Sequence, residues 1–321
     1  ELKDRIPQHI IDNYDNLSRS LEWIPCAGSI FNVAGERIDL FLQRVLVNRL
    51  QRKSLDIEHI LSGNANDFEA TLYQLLLRHL GMKVNNEAFE RLSEVLSYTM
   101  IKKYADSIEK LEALIIGQAG LLRGKDQYCK RLKQEHIHLS NKHNLDPMTG
   151  LEWRFLRLRP ANFPTVRLAQ MAMLFHISPR LFSRIIHAPN LEGLENLFNV
   201  TASRYWNTHY IPDKPGKSIK KTIGKSARKN LLINVVVPII FSYGKSVCRE
   251  EIKEKAVDIL YKLSPESNKI VQKWKEMGII ASNAAKSQAL IELKHNYCDQ
   301  YRCLKCSIGQ QVLFDETKPN S

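Results

Sequence analysis

Cysteine is scarce in this chain: six in 321 residues, too few for a disulfide scaffold. Three of them crowd into "HNYCDQYRCLKC" (295–306), a distribution that suits metal binding or free thiols in a reducing, cytoplasmic setting. Long hydrophobic runs are missing too. A bilayer span needs roughly 18–20 apolar residues, and the best stretch, "LLINVVVPIIF" (231–241), is shorter and contains Asn234 and Pro238, so no membrane partner is expected. The chain opens on "ELKDRIPQHI" with no Met and no basic-then-apolar leader, which reads as a piece of something longer. Complete catalytic motifs are also lacking. "GKS" occurs at 224–226 and 244–246, but the glycine a P-loop needs five residues earlier is Ile219 or Ile239, so neither can wrap a triphosphate. In "AGLLRGKD" Ala119 and Asp126 break the same pattern. No G-x-S-x-G, H-E-x-x-H or G-x-G-x-x-G is present, which leaves α/β-hydrolase, zincin and dinucleotide chemistry without support.

What is present is helical grammar. Ile38, Phe41, Leu42, Val45, Leu46 and Leu50 recur at spacings of three and four, the signature of an amphipathic helix from Gly35. Asn66 with Glu69 three residues on reads as a capping box ahead of Phe68, Leu72, Leu76 and Leu80, with Gly81 as the stop. Ser264 and Pro265 read as the start of another helix, ending at Gly278. Two helical pieces are expected from 107 to 144, broken near Gly117, Gly120 and Gly124. "WRFLRLRP" alternates as an extended stretch, and a helix follows from Pro164. The β-branched run at 233–237 has no strand partner, so it reads as a helix bent at Pro238. The fold class is mainly α: a multi-helix globular protein, with helical subdomains over 1–150 and 151–321, the latter with a Cys-rich end.

The net charge of +13 is concentrated. Residues 123–184 carry 12 Lys/Arg against 4 Asp/Glu, and 202–229 carry 8 against Asp213 alone. Such excess is the footprint of a phosphate-bearing partner, DNA or RNA. Arg154, Arg157, Arg159 and Arg167 could clamp phosphate through rigid guanidinium forks, with Lys217, Lys220, Lys221, Lys225, Arg228 and Lys229 as a second basic group. The competing reading makes the arginines buried ion pairs at the subdomain boundary. Tyr205, Trp206, His209 and Tyr210 could stack bases, although aromatics at such spacing more often fill a core. His209 is the one candidate acid/base beside arginines.

Cys303 and Cys306 form a C-x2-C knuckle that lets two sulfurs meet one ion, with Cys298 as a third ligand. The fourth ligand of a structural zinc site would be His295 or the distant Cys26. A plant-type iron–sulfur cluster needs another cysteine downstream, and none follows Cys306.

"LEWIPC", "GQAGLL", "RLRPANFPTVRLAQ", "YWNTHY", "INVVVPIIFSYG", "SQALIELKHNYC" and "CLKCSIG" together resemble an uncharacterised bacterial family in the domain-of-unknown-function class, in order and over nearly the whole chain. The resemblance implies longer members with an N-terminal, β-rich, restriction-nuclease-like segment that this chain lacks, leaving a helical accompanying domain. It also implies Cys26 rather than His295 as the fourth ligand. Three readings follow: a nucleic-acid- or phosphate-binding module, a structural or protein-interaction domain with a structural metal, or an enzyme on an anionic substrate.

Overall fold

A computed structural model describes residues 6–315; Glu1 to Arg5, on which the reading of a shortened start rests, lie outside the described residues. In chain order the helices are α1 (Gln8–Arg19), α2 (Gly35–Gly63), α3 (Phe68–Leu80), α4 (Asn86–Val95), α5 (Tyr98–Lys103), α6 (Ile108–Gln118), α7 (Gln127–His143) and α8 (Pro164–Ile177). There follow α9 (Leu181–Ile186), α10 (Leu191–Leu197), α11 (Lys225–Leu231), α12 (Val237–Ser246), α13 (Glu250–Lys262), α14 (Lys269–Glu276), α15 (Ala284–Leu293) and α16 (Ser307–Leu313). The described residues form no strand; two isolated bridges join Thr201 to Thr222 and His209 to Pro215. The mainly α class read from the periodicity is therefore what the chain adopts. By internal packing the chain divides into a first unit of residues 1–55 and 244–321 and a second of 56–243. Residue 150, where the sequence places a subdomain boundary, lies within the second.

The second unit is organised by α6. Every residue from Leu111 to Gln118 is buried, as expected of a helix packed on all sides, and α7 and α8 cover it. Gly117 permits the α7 approach, since a Cβ there would lie 2.4 Å from the His136 ring. Past its end the chain reverses at Gly120 (φ +68°), against Gly150 (φ +75°) of the loop before Trp153. Each glycine occupies space that a side chain on the other would need, and both take a backbone conformation that other residues resist. Trp153 Nε1 donates to Ala119 O at 2.7 Å and Met148 N to Gln118 O at 2.8 Å, pinning the 145–153 loop to the end of α6.

In the first unit α15 is the central helix: Ala284, Ala285, Ser287, Gln288, Ala289, Leu290, Glu292 and Leu293 are all buried, and α13 and α14 pack on it. Asn13 of α1 donates through Nδ2 to the carbonyls of Leu313 (3.1 Å) and Asp315 (3.3 Å), satisfying orphan acceptors at the end of α16.

Three local expectations are corrected, and the helix through Pro238 gains detail. The cap of α3 is Asp67, whose Oδ1 accepts from Glu69 N (2.8 Å) and Ala70 N (3.3 Å), while Asn66 takes φ +63° one position earlier. Helix α14 starts at Lys269 under Asn268, not under Ser264. The helix expected through Pro238 forms, with a π-turn over Leu232–Val236 ahead of the proline. That turn widens the helix where the proline ring would otherwise strike the Asn234 carbonyl. The extended run through Arg157 is broken by a turn, with Leu158 N bonded to Phe155 O and Arg157 at φ +63°.

Candidate functional site

The glycine-paired reversal at the end of α6 opens a cavity of about 530 Å³ in the second unit, within the range of small-ligand sites. Leu121, Leu151, Trp153, Phe155, Ile211 and Pro212 give it apolar walls, and Arg123, Asp213 and Lys214 bring charge to it. The Arg123 guanidinium is aimed by two carbonyls, Gly120 O at 3.2 Å and Thr149 O at 2.8 Å, which leave its charge unneutralised. Asp213 Oδ2 accepts from Lys125 N at 3.1 Å.

A stack of rings supports this region. Tyr128 and Tyr205 lie 3.7 Å apart at 11°, and His209 covers the Tyr205 ring at 4.0 Å and 5°. Tyr205 Oη donates to Asp126 Oδ2 (2.6 Å) and accepts from Asp213 N (3.1 Å); Asp126 also caps α7 through Cys129 N at 2.8 Å. Burial works against the Asp126 charge, but the Cys129 N–H and Tyr205 O–H hold its carboxyl below the ordinary range. Deeper in, Glu112 accepts from Tyr128 Oη (2.6 Å) and Trp206 Nε1 (3.1 Å), and burial raises its pKa. In the segment 205–209 Trp206 is fully buried, while Tyr205 and His209 are half-buried and stacked on one another. The His209 Nδ1 lies 3.0 Å from Tyr205 O, and the ring does not line the cavity.

The basic residues separate into two groups. Arg167 is buried and donates to Asn162 Oδ1 (2.6 Å) and Gln170 Oε1 (2.9 Å). Lys221 is buried, donates to Asn207 O (3.1 Å) and Ile219 O (2.8 Å), and sits 3.9 Å over the Tyr210 ring. Arg228 bonds Asn199 Oδ1 and, at 3.2 Å, Ile223 O. These three hold loops in place, and the partners of Arg167 are neutral amides, not carboxylates. Arg154 is fixed through its backbone to Asn85 and lines a separate cleft with Lys83, Arg91 and Glu87. Arg157, Arg159, Lys214, Lys217, Lys220 and Lys225 are exposed, with no side-chain hydrogen bond or ion pair among the described residues. Sequence reasoning missed Arg123 and Lys214. The signal available for them was the paired glycines of "GQAGLLRG" and "MTG", which bring their loops together.

In the first unit the four candidate cysteines converge. The Cys26 carbonyl accepts from Ser29 N (3.0 Å) and Ile30 N (2.9 Å) in a turn that leads to Ile30–Asn32, which packs on α16. Cys298 closes the π-turn Lys294–Cys298 after α15, and that turn packs on Cys303–Lys305. Cys306 N bonds Cys303 O at 3.1 Å, and Cys306 Sγ accepts from Gly309 N at 3.5 Å. A Cβ on Gly309 would lie 2.6 Å from Cys303 O, so the knuckle needs that glycine. All four are buried. Burial pushes the Cys26 thiol up to about 12 and Cys306 up to about 11. Each of the six pairings among the four sulfurs is also close enough for one thiolate to oppose another. His295 is exposed and turned to Asp299, Nδ1 to Oδ2 at 3.1 Å. Among the described residues no group of three or more His, Cys, Asp or Glu is arranged so that it could hold a metal ion.

Among the described residues no helix is long and apolar enough to cross a membrane. No curated protein and no solved structure matches the chain. Residues 1–269 match the family model described as Protein of unknown function (DUF2851), and the chain belongs to that family.

Proposed function

We propose that the protein binds single-stranded nucleic acid through the basic face of its second unit. The observation that carries this reading is the set of exposed cations, Arg157, Arg159, Lys214, Lys217, Lys220 and Lys225, that have no carboxylate partner among the described residues; the first five belong to the two loops lining the apolar cavity and Lys225 opens α11 just after the second. One or two cations would serve a small anion; a series of them suits a polyanion. The half-buried Phe155 and the exposed Leu151 offer a base an apolar wall beside Arg123, the combination of stacking and phosphate neutralisation that single strands favour. Such binding fits an accompanying role beside the nuclease-like segment that the family resemblance implies. Six unpaired cysteines fit a cytoplasmic setting. Catalysis by His209 gains no support, because its Nδ1 faces a backbone carbonyl and its ring lies off the cavity.

Fluorescence anisotropy with a labelled oligonucleotide tests the proposal. If about five cations meet phosphates, log K should fall with log salt at a slope of about −3.5. The double variant Arg157→Glu/Lys214→Glu should weaken binding at least about tenfold and lower the slope by about 1.5. Absence of binding at about 50 mM salt, or an unchanged affinity in the double variant, rejects it.

A further inference from the structure

We propose that Cys26, Cys298, Cys303 and Cys306 of the first unit bind one Zn²⁺ as a four-thiolate structural site. Four sulfurs from three separate stretches of chain meet in one buried region. Cys26 arrives with the turn that packs on α16, Cys298 with the π-turn after α15, and Cys303 and Cys306 with the knuckle between them. Among the described residues the sulfurs of Cys26, Cys298 and Cys303 have no side-chain hydrogen-bond partner, and that of Cys306 is faced by the Gly309 and Ile308 N–H groups. Soft donors gathered without polar side-chain partners are what a thiophilic ion requires, and a C-x2-C knuckle offers two of them to a single ion. An N–H aimed at a ligand sulfur is a recurrent outer-shell contact that steadies a thiolate.

Charge supports the same reading. Four thiolates around Zn²⁺ carry a net −2, and the largely buried Lys294 lies near enough to Cys298 to favour its thiolate. The ammonium also pairs with Asp299 and lies 5.3 Å from the Trp23 ring centroid. His295 is excluded by its exposure and its contact with Asp299. A Zn–S length of about 2.3 Å would set the sulfurs roughly 3.8 Å apart. The side chains must therefore turn inward to close the shell, and each bound thiol releases its proton to solvent.

The test uses the full chain, purified under reducing conditions without added metal, with metal content measured by elemental mass spectrometry and Co²⁺ titrated into the zinc-stripped protein. The proposal expects about one zinc per chain and a thiolate-to-cobalt charge-transfer band saturating at one equivalent. Both should be retained in Cys129→Ser/Cys248→Ser and in His295→Ala, and both abolished in Cys26→Ser and Cys303→Ser. Because a serine variant could fail to fold, Cys26→His serves as a second probe; it keeps a ligand and should bind Co²⁺ with an altered band. A wild-type chain that neither carries zinc nor develops the band overturns the proposal. So does iron with cluster absorbance, a pair of disulfides revealed by alkylation and mass, or zinc binding of equal stoichiometry and affinity in a folded Cys26→Ser chain.

Discussion

Removing the Glu292 carboxylate should loosen the first unit by about 3 kcal/mol. Glu292 lies on the central helix α15, its side chain only 4% exposed, and it accepts from Arg49 Nη1 at 3.3 Å and from Arg52 Nε and Nη2 at 3.0 and 2.7 Å. Burial alone would raise its pKa, but the two guanidinium groups outweigh that and hold the carboxyl below its ordinary range. A carboxyl with a depressed folded pKa contributes stability above its unfolded value and loses it as pH falls through the folded one. In Glu292→Ala the two arginines fare differently. The Arg49 side chain is 13% exposed and would be left as a buried charge opposed only by the weaker influence of Glu266, whereas that of Arg52, 42% exposed, can turn to water. Stranding a buried partner costs about 3–5 kcal/mol, and the mobility of Arg52 argues for the lower end. Arg52→Ala should cost under about 1 kcal/mol, as partly exposed pairs do. Hydrogen exchange of α15 amides, read by mass spectrometry, is the assay. About 3 kcal/mol is roughly a hundredfold loss of protection, since 1.4 kcal/mol is tenfold. The double variant Arg49→Met/Glu292→Leu should recover most of it, because apolar replacements of similar volume remove the desolvation cost as well as the attraction. The reasoning is refuted if Arg52→Ala costs as much as Glu292→Ala, or if the double variant is less protected than the single.

Two further outcomes follow from the second unit. Burial holds the Glu112 pKa above 4.5, so the folded chain binds that proton more tightly than the unfolded one, and stability should decline as pH rises from 4.5 through the folded value. Glu112→Gln should lack this decline in urea melts compared across pH; parallel curves for the two proteins would contradict it. Gly117→Ala drives a methyl into the His136 ring, an overpacking worth about 1–3 kcal/mol. It should lower Tm by several degrees, whereas Gly28→Ala, with open space around it, should leave the melt nearly unmoved.

The helices were legible because burial imposes a period that single residues reveal. Leu72, Leu76 and Leu80 mark the inner face of α3, and Pro164 marks the first turn of α8. Their ends were less so. Asn64, Asn66 and Asp67 are all capable caps, and the choice among them rests on positive φ at Ala65 and Asn66. Glu69, which by spacing should close a capping box, instead accepts from the Phe182 and Ser183 N–H groups (2.9 and 3.0 Å) at the start of α9, a contact more than a hundred residues away in sequence. The basic site was legible in part for the same reason. A lysine rich in like-charged neighbours reads as surface, yet Lys221 turns inward because the Asn207 and Ile219 carbonyls and the Tyr210 ring happen to await it. Main-chain acceptors leave no trace in composition. Nor does any local pattern tie Cys26 to Cys303; that neighbourhood exists only once the turn at 30–32 has packed on α16.

The division of the chain sets an order on its biosynthesis. Residues 6–55 leave the ribosome ahead of the second unit, yet their own unit is completed only by residues after 243, and α1 finds its partner carbonyls in α16. At about 5–20 residues per second, the leading segment waits roughly ten to forty seconds for its counterpart, while the whole of the second unit emerges in between. That inserted unit can therefore settle while the earlier helices still expose their apolar faces, and it is those helices, not the inserted ones, that nascent-chain chaperones should hold longest.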